Sequence, residues 1–446
     1  MFSGGTGTQA DPYLIATAED LNNVRNYLSA HFLQINDIDL SEYENWEPIG
    51  DDTTPFTGSY DGGNYNITNL MINRPELGYV GFFGYCYSAL LKNCNIHGSI
   101  IGGNNCGGLA GYAFVNTDVD TLHIIDNCHI YVSIEAFVSS YESCIGGIIG
   151  RLDLGDLFPS NTYPHISNCS TENTIEIILI SAGGFSAGGC IGYVYNSDTW
   201  FGSDNYSNIS KLRSNTIITI NDTSYNLYDS CIGGLIGFIY NNLVPVGDKP
   251  YINNCYSEGS IIYNMNDNDI TTSGFIAKIN RHTDISNCYC IFNIHQTRGY
   301  ITGFIGRVTG TTININNCYC VTDIDYYKNN VGSFLLPSFY YTVEPQVVNC
   351  YYDYDVYSKI DDYATPKTTS EMKQQLTFEN WDFDTIWGIN PSINNGYPYL
   401  FPYEVGLNVY VITNEGLKQA KKICIITDAG LKEIKKLNVI TDTGLK

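Results

Sequence analysis

Charge, and above all positive charge, is scarce in this sequence. Charged residues make up 15% of the 446 residues, and 22 Lys and Arg stand against 46 Asp and Glu, so the formal net charge is −24. A surface that binds nucleic-acid phosphates needs clustered Lys and Arg, so this deficit argues against a nucleic-acid partner. Long apolar runs are also lacking. No window approaches the ~20 apolar residues of a membrane span, so none is predicted.

The start of the chain lacks the features of an export signal. Residues 1–7 contain neither a basic region nor an apolar region, which predicts that no secretory signal peptide is present. Because fibre proteins of a virus fold in the host cytoplasm and leave by lysis, this feature favours a virion component over a protein that must cross a membrane.

Gly and Tyr are the abundant residues. The sequence has 43 Gly and 37 Tyr, and hydrophobic residues make up 43% of it. Aromatic residues suit pleated strands, and Gly tolerates the backbone conformations of tight turns. This composition predicts a folded, β-rich protein.

Fifteen Cys residues would suggest a disulfide framework in a short secreted chain. Here most of them recur at equivalent points of a repeat, so we predict buried free thiols. The pairs Cys288-x-Cys290 and Cys318-x-Cys320 are the most metal-like. They lack the Cys-x2-Cys spacing and the helix-borne His of a zinc site, so we predict no metal and no cofactor.

One recurring phrase is a Gly-Gly pair followed by two apolar residues and another Gly. Full copies occupy residues 107–111, 146–150 and 233–237, and their framework glycines are Gly108, Gly111, Gly147, Gly150, Gly234 and Gly237. Shorter copies occupy residues 81–84, 188–192, 274–277 and 303–306.

A second phrase, ending in Asn-Cys, alternates strictly with the first. Its copies are Asn127-Cys128, Asn168-Cys169, Asn254-Cys255, Asn287-Cys288 and Asn317-Cys318, with further copies at residues 93–94 and 349–350. A degenerate copy is assigned to Ser214-Asn215. The intervals then range from 30 residues (Asn287 to Asn317) to 46 residues (Asn168 to Ser214).

Such a period, with two or three short strands and no helical pattern, is typical of one coil of a β-solenoid. We expect roughly eight coils, with loops of variable length leaving one corner. Gly permits a tight corner and close packing of coils. Asn is expected to be a left-handed corner residue whose amide stacks on the next coil, and Cys is expected to point inward after it.

These phrases resemble the GLUG motif family of bacterial surface and adhesin-like proteins. The opening segments at residues 4–7, 11–15, 37–40, 46–50 and 56–62 look like the module that precedes such repeats. The stretches at residues 381–383, 387–389 and 396–400 look like the usual C-terminal cap. The resemblance covers about residues 3–402 and implies an all-β, right-handed parallel β-helix. It says little about a ligand, because the scaffold defines the family.

We therefore divide the chain into an N-terminal cap with first coils (1–75), β-helix repeats (76–360), a C-terminal cap (361–402) and a tail (403–446). Short capping helices are expected at residues 16–30, where Thr17 is a candidate N-cap, and at residues 369–377. The tail repeats one phrase at residues 411–418, 425–432 and 439–446. Each copy has an apolar β-run and a turn, and Leu417, Ala420 and Ile423 fall at helical spacing. The tail weakly resembles short segments of phage tail and head-fibre proteins.

Three such units are too short for an ordinary domain. We expect the tail to dock onto other virion or surface-assembly proteins, or to form a homo-oligomer such as a trimer. The alternative is a flexible extension.

Adjacent acids are available for glycoside hydrolysis, which uses two carboxylates. The pairs are Asp51/Asp52, Asp153/Asp156, Asp353/Asp355 and Asp361/Asp362. None repeats with a catalytic signature, so we predict that the protein is not an enzyme. Clustered Tyr suits sugar recognition by stacking and directional hydrogen bonds. The candidate glycan-binding residues are Tyr326, Tyr327, Tyr351, Tyr352, Tyr354 and Tyr357; the alternative is that these rings only fill strand positions.

The sequence thus predicts a structural or binding protein. The first hypothesis is a phage virion fibre or spike component that presents a β-helix for attachment to a host-surface glycan. The alternatives are a bacterial cell-surface adhesin and a polysaccharide-degrading spike.

Overall fold

The fold was analysed on a computed structural model. It describes residues 2–115, 123–139, 142–155, 165–180, 183–196, 208–221, 229–241, 251–263, 270–296, 299–310, 313–325, 330–336 and 344–401, and short backbone segments after residue 409. The chain divides into two compact units, residues 1–369 and residues 370–446.

The first unit is a parallel β-helix. Its strands form four sheets in which every neighbouring pair is parallel, and the chain visits the sheets in the fixed order 1, 2, 3, 4 before returning to sheet 1. Seven consecutive coils have a strand in all four sheets, with partial coils before and after them. The predicted parallel β-helix is confirmed. Each coil has four strands, however, where the sequence had predicted two or three, because the Gly-Gly phrase divides what reads as one apolar run.

Sheets 1 and 2 have eleven strands each. Sheet 1 consists of Tyr13–Ile15, His31–Gln34, Ser59–Asp61, Leu90–Lys92, His123–Asp126, His165–Ser167, Asn208–Ser210, Tyr251–Asn253, Thr283–Ser286, Ile313–Asn316 and Gln346–Val348. Sheet 2 consists of Ile38–Asp39, Asn66–Asn73, Asn95–Gly102, His129–Val138, Ser170–Leu179, Arg213–Asn221, Tyr256–Tyr263, Tyr289–Gln296, Tyr319–Ile324, Tyr351–Asp353 and Thr365–Lys367.

Sheets 3 and 4 have eight and seven strands. Sheet 3 consists of Tyr79–Val80, Asn105–Gly107, Ser143–Gly146, Phe185–Gly188, Ser230–Gly233, Ile270–Ser273, Tyr300–Thr302 and Val331–Gly332. Sheet 4 consists of Phe83–Tyr87, Ala110–Val115, Ile149–Leu154, Ile191–Asn196, Ile236–Asn241, Ile276–Asn280 and Ile305–Thr309.

The Asn-Cys phrase forms the corner between sheets 1 and 2. Every Asn of the phrase has a positive φ, between 52° and 56°, as a left-handed corner requires. Each Cys that follows is buried and donates its thiol to the backbone carbonyl two residues earlier, as Cys169 does to Ser167 at 3.0 Å. A small apolar side chain with a weak donor is therefore suited to this position. The predicted role of both residues is confirmed.

The amide ladder on this corner is also present. Asn127 Nδ2 donates to Asn64 Oδ1 and to Asn93 Oδ1, both at 2.8 Å. Asn317 and Asn349 each donate to the Asn of the preceding coil at 3.4 Å. Amide side chains thus link neighbouring coils outside the core.

The degenerate corner lies three residues from its predicted place. Lys211 has the positive φ, 54°, and Leu212 takes the fully buried position of Cys. Ser214 and Asn215 already lie inside the next strand of sheet 2. The prediction was wrong because the search required Asn, whereas backbone conformation and an inward apolar side chain define the corner.

We expect Asn127→Ala to lower the free energy of unfolding by about 2 kcal/mol, because alanine lacks the amide bonds and disfavours positive φ. Asn127→Gly tolerates the backbone conformation and should recover about half of that loss. Chemical denaturation followed by circular dichroism measures both. Equal losses for Ala and Gly would contradict a left-handed corner.

The Gly-Gly phrase forms the corner between sheets 3 and 4. A Cβ atom on Gly107 would lie 2.2 Å from Ala110 O, and one on Gly150 would lie 2.6 Å from Gly111 O. Neither glycine has a positive φ. These glycines are therefore required by the close approach of two backbones and not by a special conformation. A further copy, Gly332 with the buried Phe334, was not found in the sequence.

Connections of variable length leave two corners of the coil, where one was predicted. Those from sheet 2 to sheet 3 range from residues 103–104 to residues 222–229, and those from sheet 4 to sheet 1 range from residues 281–282 to residues 197–207. The two phrase corners, by contrast, keep a constant short length. The length of the connection is therefore constant at two corners of the coil and variable at the other two.

In the part of the chain that the structure describes, fourteen cysteines are buried as free thiols, as predicted. Burial raises the pKa of the Cys86 thiol, and raises the pKa of Cys106 to about 12. Because burial keeps the reagent away from the sulfur atoms, we expect these fourteen thiols to resist Ellman's reagent at pH 8 in the native protein. They should react when the protein is unfolded in guanidinium chloride. Rapid reaction of several of them in the native state would contradict this packing.

The N-terminal helix is shorter than its predicted range of 16–30. An α-helix spans Ala18–Asn23 and a 3-10 turn follows at Val24–Asn26. Thr17 is the N-cap as predicted, and its hydroxyl accepts from Asp20 N at 3.1 Å. The first strand is also covered at its free edge, because Ser3 N donates to Leu14 O and Leu14 N donates to Gly4 O. The exposed strand edge is thereby removed from pairing with other chains.

The second helix lies within the predicted range, with an α-helix at Thr369–Met372 and a 3-10 turn at Gln375–Thr377. In the second unit, the rings of Trp381 and Trp387 lie 4.3 Å apart. Short strands at Trp387–Gly388 and Tyr399–Leu400 pair antiparallel, and a 3-10 turn occupies Asn394–Gly396.

The tail forms two antiparallel hairpins in its described residues. Tyr410–Thr413 pairs with Gly416–Gln419, and Ile440–Thr441 pairs with Gly444–Leu445. Leu417 therefore lies in a strand, where helical spacing had been read. Ala420 and Ile423 lie outside the described residues.

Candidate functional site

The outward face of sheet 4 carries a group of aromatic and charged side chains. Buried and half-buried side chains alternate along its strands Ala110–Val115, Ile191–Asn196 and Ile236–Asn241, so two columns of side chains point outward. Within these columns, Asp153 and Lys278 are buried. The first column contains Tyr85, Tyr112, Arg151, Tyr193, Phe238, Lys278 and Arg307. The second contains Tyr87, Phe114, Asp153, Tyr195, Tyr240, Asn280 and Thr309. We call these two columns the aromatic strip.

The strip begins with stacked rings. Tyr85 and Tyr112 lie 4.6 Å apart with their planes at 17°, and Tyr87 and Phe114 lie 5.3 Å apart at 30°. Tyr79, from sheet 3, is turned across this stack, at 89° to Tyr85 and 74° to Tyr112. Rings on adjacent coils are thus stacked, and the ring of Tyr79 is nearly perpendicular to the stacked rings of Tyr85 and Tyr112.

An ion pair forms the middle row. Arg151 Nε donates to Asp153 Oδ1 at 2.8 Å, and Arg151 Nη2 donates to Asp153 Oδ2 at 3.0 Å. The Tyr112 hydroxyl donates to the same carboxylate. The guanidinium carbon of Arg151 lies 5.6 Å from the ring centroid of Tyr112 and 5.2 Å from that of Tyr193, within the range of cation–π attraction.

Aromatic rows resume after the ion pair. Tyr195 and Tyr240 stack at 5.5 Å and 18°. The ring plane of Phe238 is nearly perpendicular to those of Tyr193 and Tyr240, at 77° and 82°. This end of the strip therefore repeats the arrangement around Tyr79, with stacked rings beside one perpendicular ring.

Cations with carboxylate partners close the strip. Lys278 Nζ contacts Asp229 Oδ2 and lies 4.6 Å from the ring centroid of Phe238. Arg307 Nη1 lies 3.3 Å from Asp229 Oδ1. Together with Arg151, the strip has three cations. Arg151 Nη1 also lies 3.6 Å from Glu142 Oε2, so the three cations are opposed by three carboxylates and the formal charges of these groups cancel.

The strip keeps its hydroxyls protonated. Burial, followed by the charge of Asp153, raises the pKa of Tyr112 above its ordinary value, and burial raises the pKa of Tyr193. Burial works against the charged form of Arg151, but hydrogen bonds and charge from Asp153 outweigh it and raise the pKa of Arg151. At neutral pH the strip thus presents phenol donors and a permanent guanidinium.

The predicted glycan-binding residues that the structure describes do not lie on the aromatic strip. Tyr351, Tyr352 and Tyr357 are 6%, 1% and 7% exposed, so the expectation that these rings lie on the surface is wrong. Tyr354 is half-buried against the core. Tyr326 and Tyr327 lie outside the described residues. Clustering of Tyr along the sequence misled the prediction, because all three residues of the strand Tyr351–Asp353 are buried.

A signal for the aromatic strip was present in the sequence. After the last Gly of the Gly-Gly phrase, aromatic residues alternate with apolar ones. Copies of this alternation occur at residues 84–87, 111–114, 192–195 and 237–240. Because the period of a strand is two, such alternation marks an outward column. Only the repeat alignment shows that the copies fall on neighbouring coils.

In three of the four acid pairs of the sequence, one carboxylate caps a turn. Asp353, which is 2% exposed, accepts from two backbone N–H groups and from the Thr369 hydroxyl. Asp361 accepts from four backbone N–H groups, and burial raises its pKa. Asp51 is held in a turn by Thr53, whose hydrogen bond contributes to lowering the Asp51 pKa to about 2. Asp156 lies outside the described residues.

One acid pair emerges only from the coil register. Glu135 and Glu176 lie directly opposite one another on adjacent strands of sheet 2. A spacing of about 5 Å between adjacent strands would suit a retaining glycosidase. These acids lie on sheet 2 and not on the aromatic strip of sheet 4.

In the part of the chain that the structure describes, no three His, Cys, Asp or Glu side chains are grouped to hold a metal ion. Cys290 and Cys320 donate instead to the carbonyls of Gly303 and Ser333, at 3.1 and 3.2 Å. Of the helices described, none has the length and apolarity to cross a bilayer.

Comparisons with known proteins identify repeat-containing relatives. No family model matches the chain. A provisionally named Gly-rich membrane protein of Evansella cellulosilytica is 44% identical over 109 residues, which is 23% of this chain and 13% of that protein. Halomucin of Haloquadratum walsbyi is 30% identical over 174 residues, 35% of this chain and 2% of that protein. The chain thus spans only a small part of either relative.

Two solved structures show distant similarity. A provisionally named immunoglobulin A1 protease from Bacteroides ovatus is 21% identical with a TM-score of 0.47, over 90% of this chain and 95% of that one. An IgA1 protease is 14% identical with a TM-score of 0.44, over 82% of this chain and 24% of that one. Similarity at this level carries no conclusion about activity. The chain is a repeat-rich parallel β-helix protein, and its GLUG resemblance stays a prediction.

Proposed function

We propose that this protein is a non-enzymatic binding protein whose aromatic strip attaches to a polysaccharide outside the cell. The observation that carries the proposal is the strip itself, in which aromatic rings and phenol hydroxyls recur on coils at either side of the Arg151–Asp153 ion pair. Sugars offer apolar C–H faces beside hydroxyl groups, so rings with adjacent donors and acceptors match them. The names of the relatives, a membrane protein and halomucin, support a location at the cell exterior.

Binding to insoluble and immobilised polysaccharides tests this proposal. The double variant Tyr193→Ala/Tyr195→Ala should lose at least 90% of binding, because it removes one aromatic row. Tyr131→Ala is the matched control, since this Tyr is 40% exposed on sheet 2, away from the strip. Circular dichroism should show that both variants fold. Unchanged binding by the double variant would overturn the assignment of the site.

Catalysis is the competing function. Incubation with a bound polysaccharide should release no reducing ends above the level of Glu135→Gln/Glu176→Gln. Release that disappears in that variant would make the protein a polysaccharide-degrading enzyme.

The location of the protein is a separate proposal from its binding of polysaccharide. We place the protein on a cell surface, with a virion fibre as the alternative predicted from the sequence. Mass spectrometry of density-banded particles and of washed envelopes from the source culture separates them. Co-banding with particles at fixed stoichiometry would establish a virion component, and recovery on envelopes would establish a surface protein. Docking of residues 403–446 onto other proteins, or their trimerisation, stays a prediction for either location.

A further inference from the structure

We propose that the ligand of the aromatic strip is a neutral, linear, extended polysaccharide that lies parallel to the coil-stacking direction, with one sugar over each coil. This inference rests on the proposed function and specifies the chemistry and direction of the ligand. Three independent features of the strip carry it: the spacing of its rows, its width, and the pairing of its charges.

The spacing of the rows fixes the direction of the ligand. Neighbouring strands are about 4.8 Å apart, so each coil adds one row at that interval. The measured ring separations agree, with 4.6 Å between Tyr85 and Tyr112 and 5.5 Å between Tyr195 and Tyr240. An extended β-1,4-linked hexose chain advances by a closely similar distance per sugar. Each sugar therefore lies over one row, with alternate sugars turned by half a revolution about the chain axis, whereas a helically coiled α-linked chain loses register after one or two sugars.

The width of the strip excludes a crossing ligand. Only two outward side chains of each strand belong to the strip, such as Tyr112 and Phe114 or Tyr193 and Tyr195. A chain laid across the strands would contact one row and leave the others unused. A chain laid along the stack contacts five consecutive rows, from the row of Tyr85 to the row of Phe238.

The pairing of the charges selects a neutral polymer. Arg151 is bound to Asp153, and both Lys278 and Arg307 contact Asp229. An acidic sugar would have to compete with these carboxylates for the cations. It would also approach a chain of net charge −24, which repels polyanions at long range. A neutral sugar meets neither obstacle and can accept hydrogen bonds from the guanidinium and the phenols.

The rings differ in orientation, and therefore in which part of the ring is open to a ligand. In the stacked pairs, such as Tyr85 with Tyr112, part of each ring face is covered by its neighbour, so these rings offer edges and hydroxyls. Tyr79 and Phe238 are turned across the stacks, at 89° to Tyr85 and 77° to Tyr193. The stacked rings therefore do not cover their faces, although Lys278 Nζ lies over the ring of Phe238. One of these two rings lies near each end of the five rows.

Calorimetry with β-1,4-linked gluco-, manno- and N-acetylglucosamine oligosaccharides of two to eight sugars tests the inference on the full chain. For the type that binds, affinity should rise at least threefold per added sugar and level off near five sugars. The α-1,4-linked gluco-oligosaccharides should bind at least tenfold more weakly. Raising NaCl from 50 to 500 mM should change the affinity less than twofold.

A variant of the end row sharpens the test. Phe238→Ala/Tyr240→Ala removes the last aromatic row, so the plateau should move from about five sugars to about four. Tyr131→Ala should leave the whole length series unchanged. An unaltered plateau in the end-row variant would contradict the alignment of one sugar with each coil.

The outcomes separate this inference from the proposed function. Length-independent binding, or preference for α-linked or uronic-acid polymers, would overturn the neutral, coil-aligned ligand while leaving glycan binding intact. Absence of binding to every polysaccharide, neutral or acidic, would overturn both.

Discussion

Gly146→Ala is expected to lower the free energy of unfolding by at least about 3 kcal/mol, at the upper end of what overpacking causes. A Cβ atom on Gly146 would lie 2.0 Å from Ile149 O and 2.7 Å from Gly192 N. Both atoms belong to backbone that is bonded into sheet 4, so neither can move as a side-chain tip could. Two adjacent coils would have to separate. Thermal and denaturant unfolding, followed by circular dichroism, measure the loss.

Gly78→Ala is the control for this prediction. No atom lies within 4 Å of a Cβ placed on Gly78, and its φ is not positive. Its stability should stay within about 1 kcal/mol of the parent, because the substitution mainly restricts the unfolded chain. If both variants were as stable as the parent, sheets 3 and 4 would not be held at backbone contact. If both variants lost a similar amount of stability, these coils would be generally intolerant of substitution.

Arg151→Met is expected to lower the free energy of unfolding by about 3 kcal/mol, because it removes the cation from a carboxylate that the fold nearly excludes from water. The side chain of Asp153 is 8% exposed, and both of its oxygens accept from Arg151. Without that partner the Asp153 carboxylate would be a nearly buried charge with no cation beside it.

The double variant Arg151→Met/Asp153→Leu tests the cause. Replacing both members of a buried ion pair by apolar residues is often neutral, so it should recover most of the loss. Denaturation at pH 5 and pH 8 compares the three proteins. If the single variant loses less than about 1 kcal/mol at both pH values, Asp153 is hydrated and the ion pair adds little to the strip.

The sequence determined the fold through residues that the backbone requires at the corners of the coil. Asn127 and its equivalents supply a left-handed corner, and glycines such as Gly150 supply space where two backbones meet. These requirements recur from coil to coil, so they appear as repeated phrases in the amino-acid sequence. The same logic failed at Lys211, because the corner there keeps its conformation without the residue that usually marks it.

The candidate site was decided by tertiary structure. Tyr112, Arg151 and Tyr193 are separated by roughly forty residues in sequence, and parallel register places them on adjacent strands. Tyr352, by contrast, lies in a dense run of Tyr and is buried in the core. Sequence by itself determined the Asn-Cys and Gly-Gly corners, because a left-handed backbone and a close backbone approach each require particular residue types. Only the tertiary structure decided which outward side chains lie side by side, because connections of unequal length set how far apart in sequence each coil's equivalent position falls.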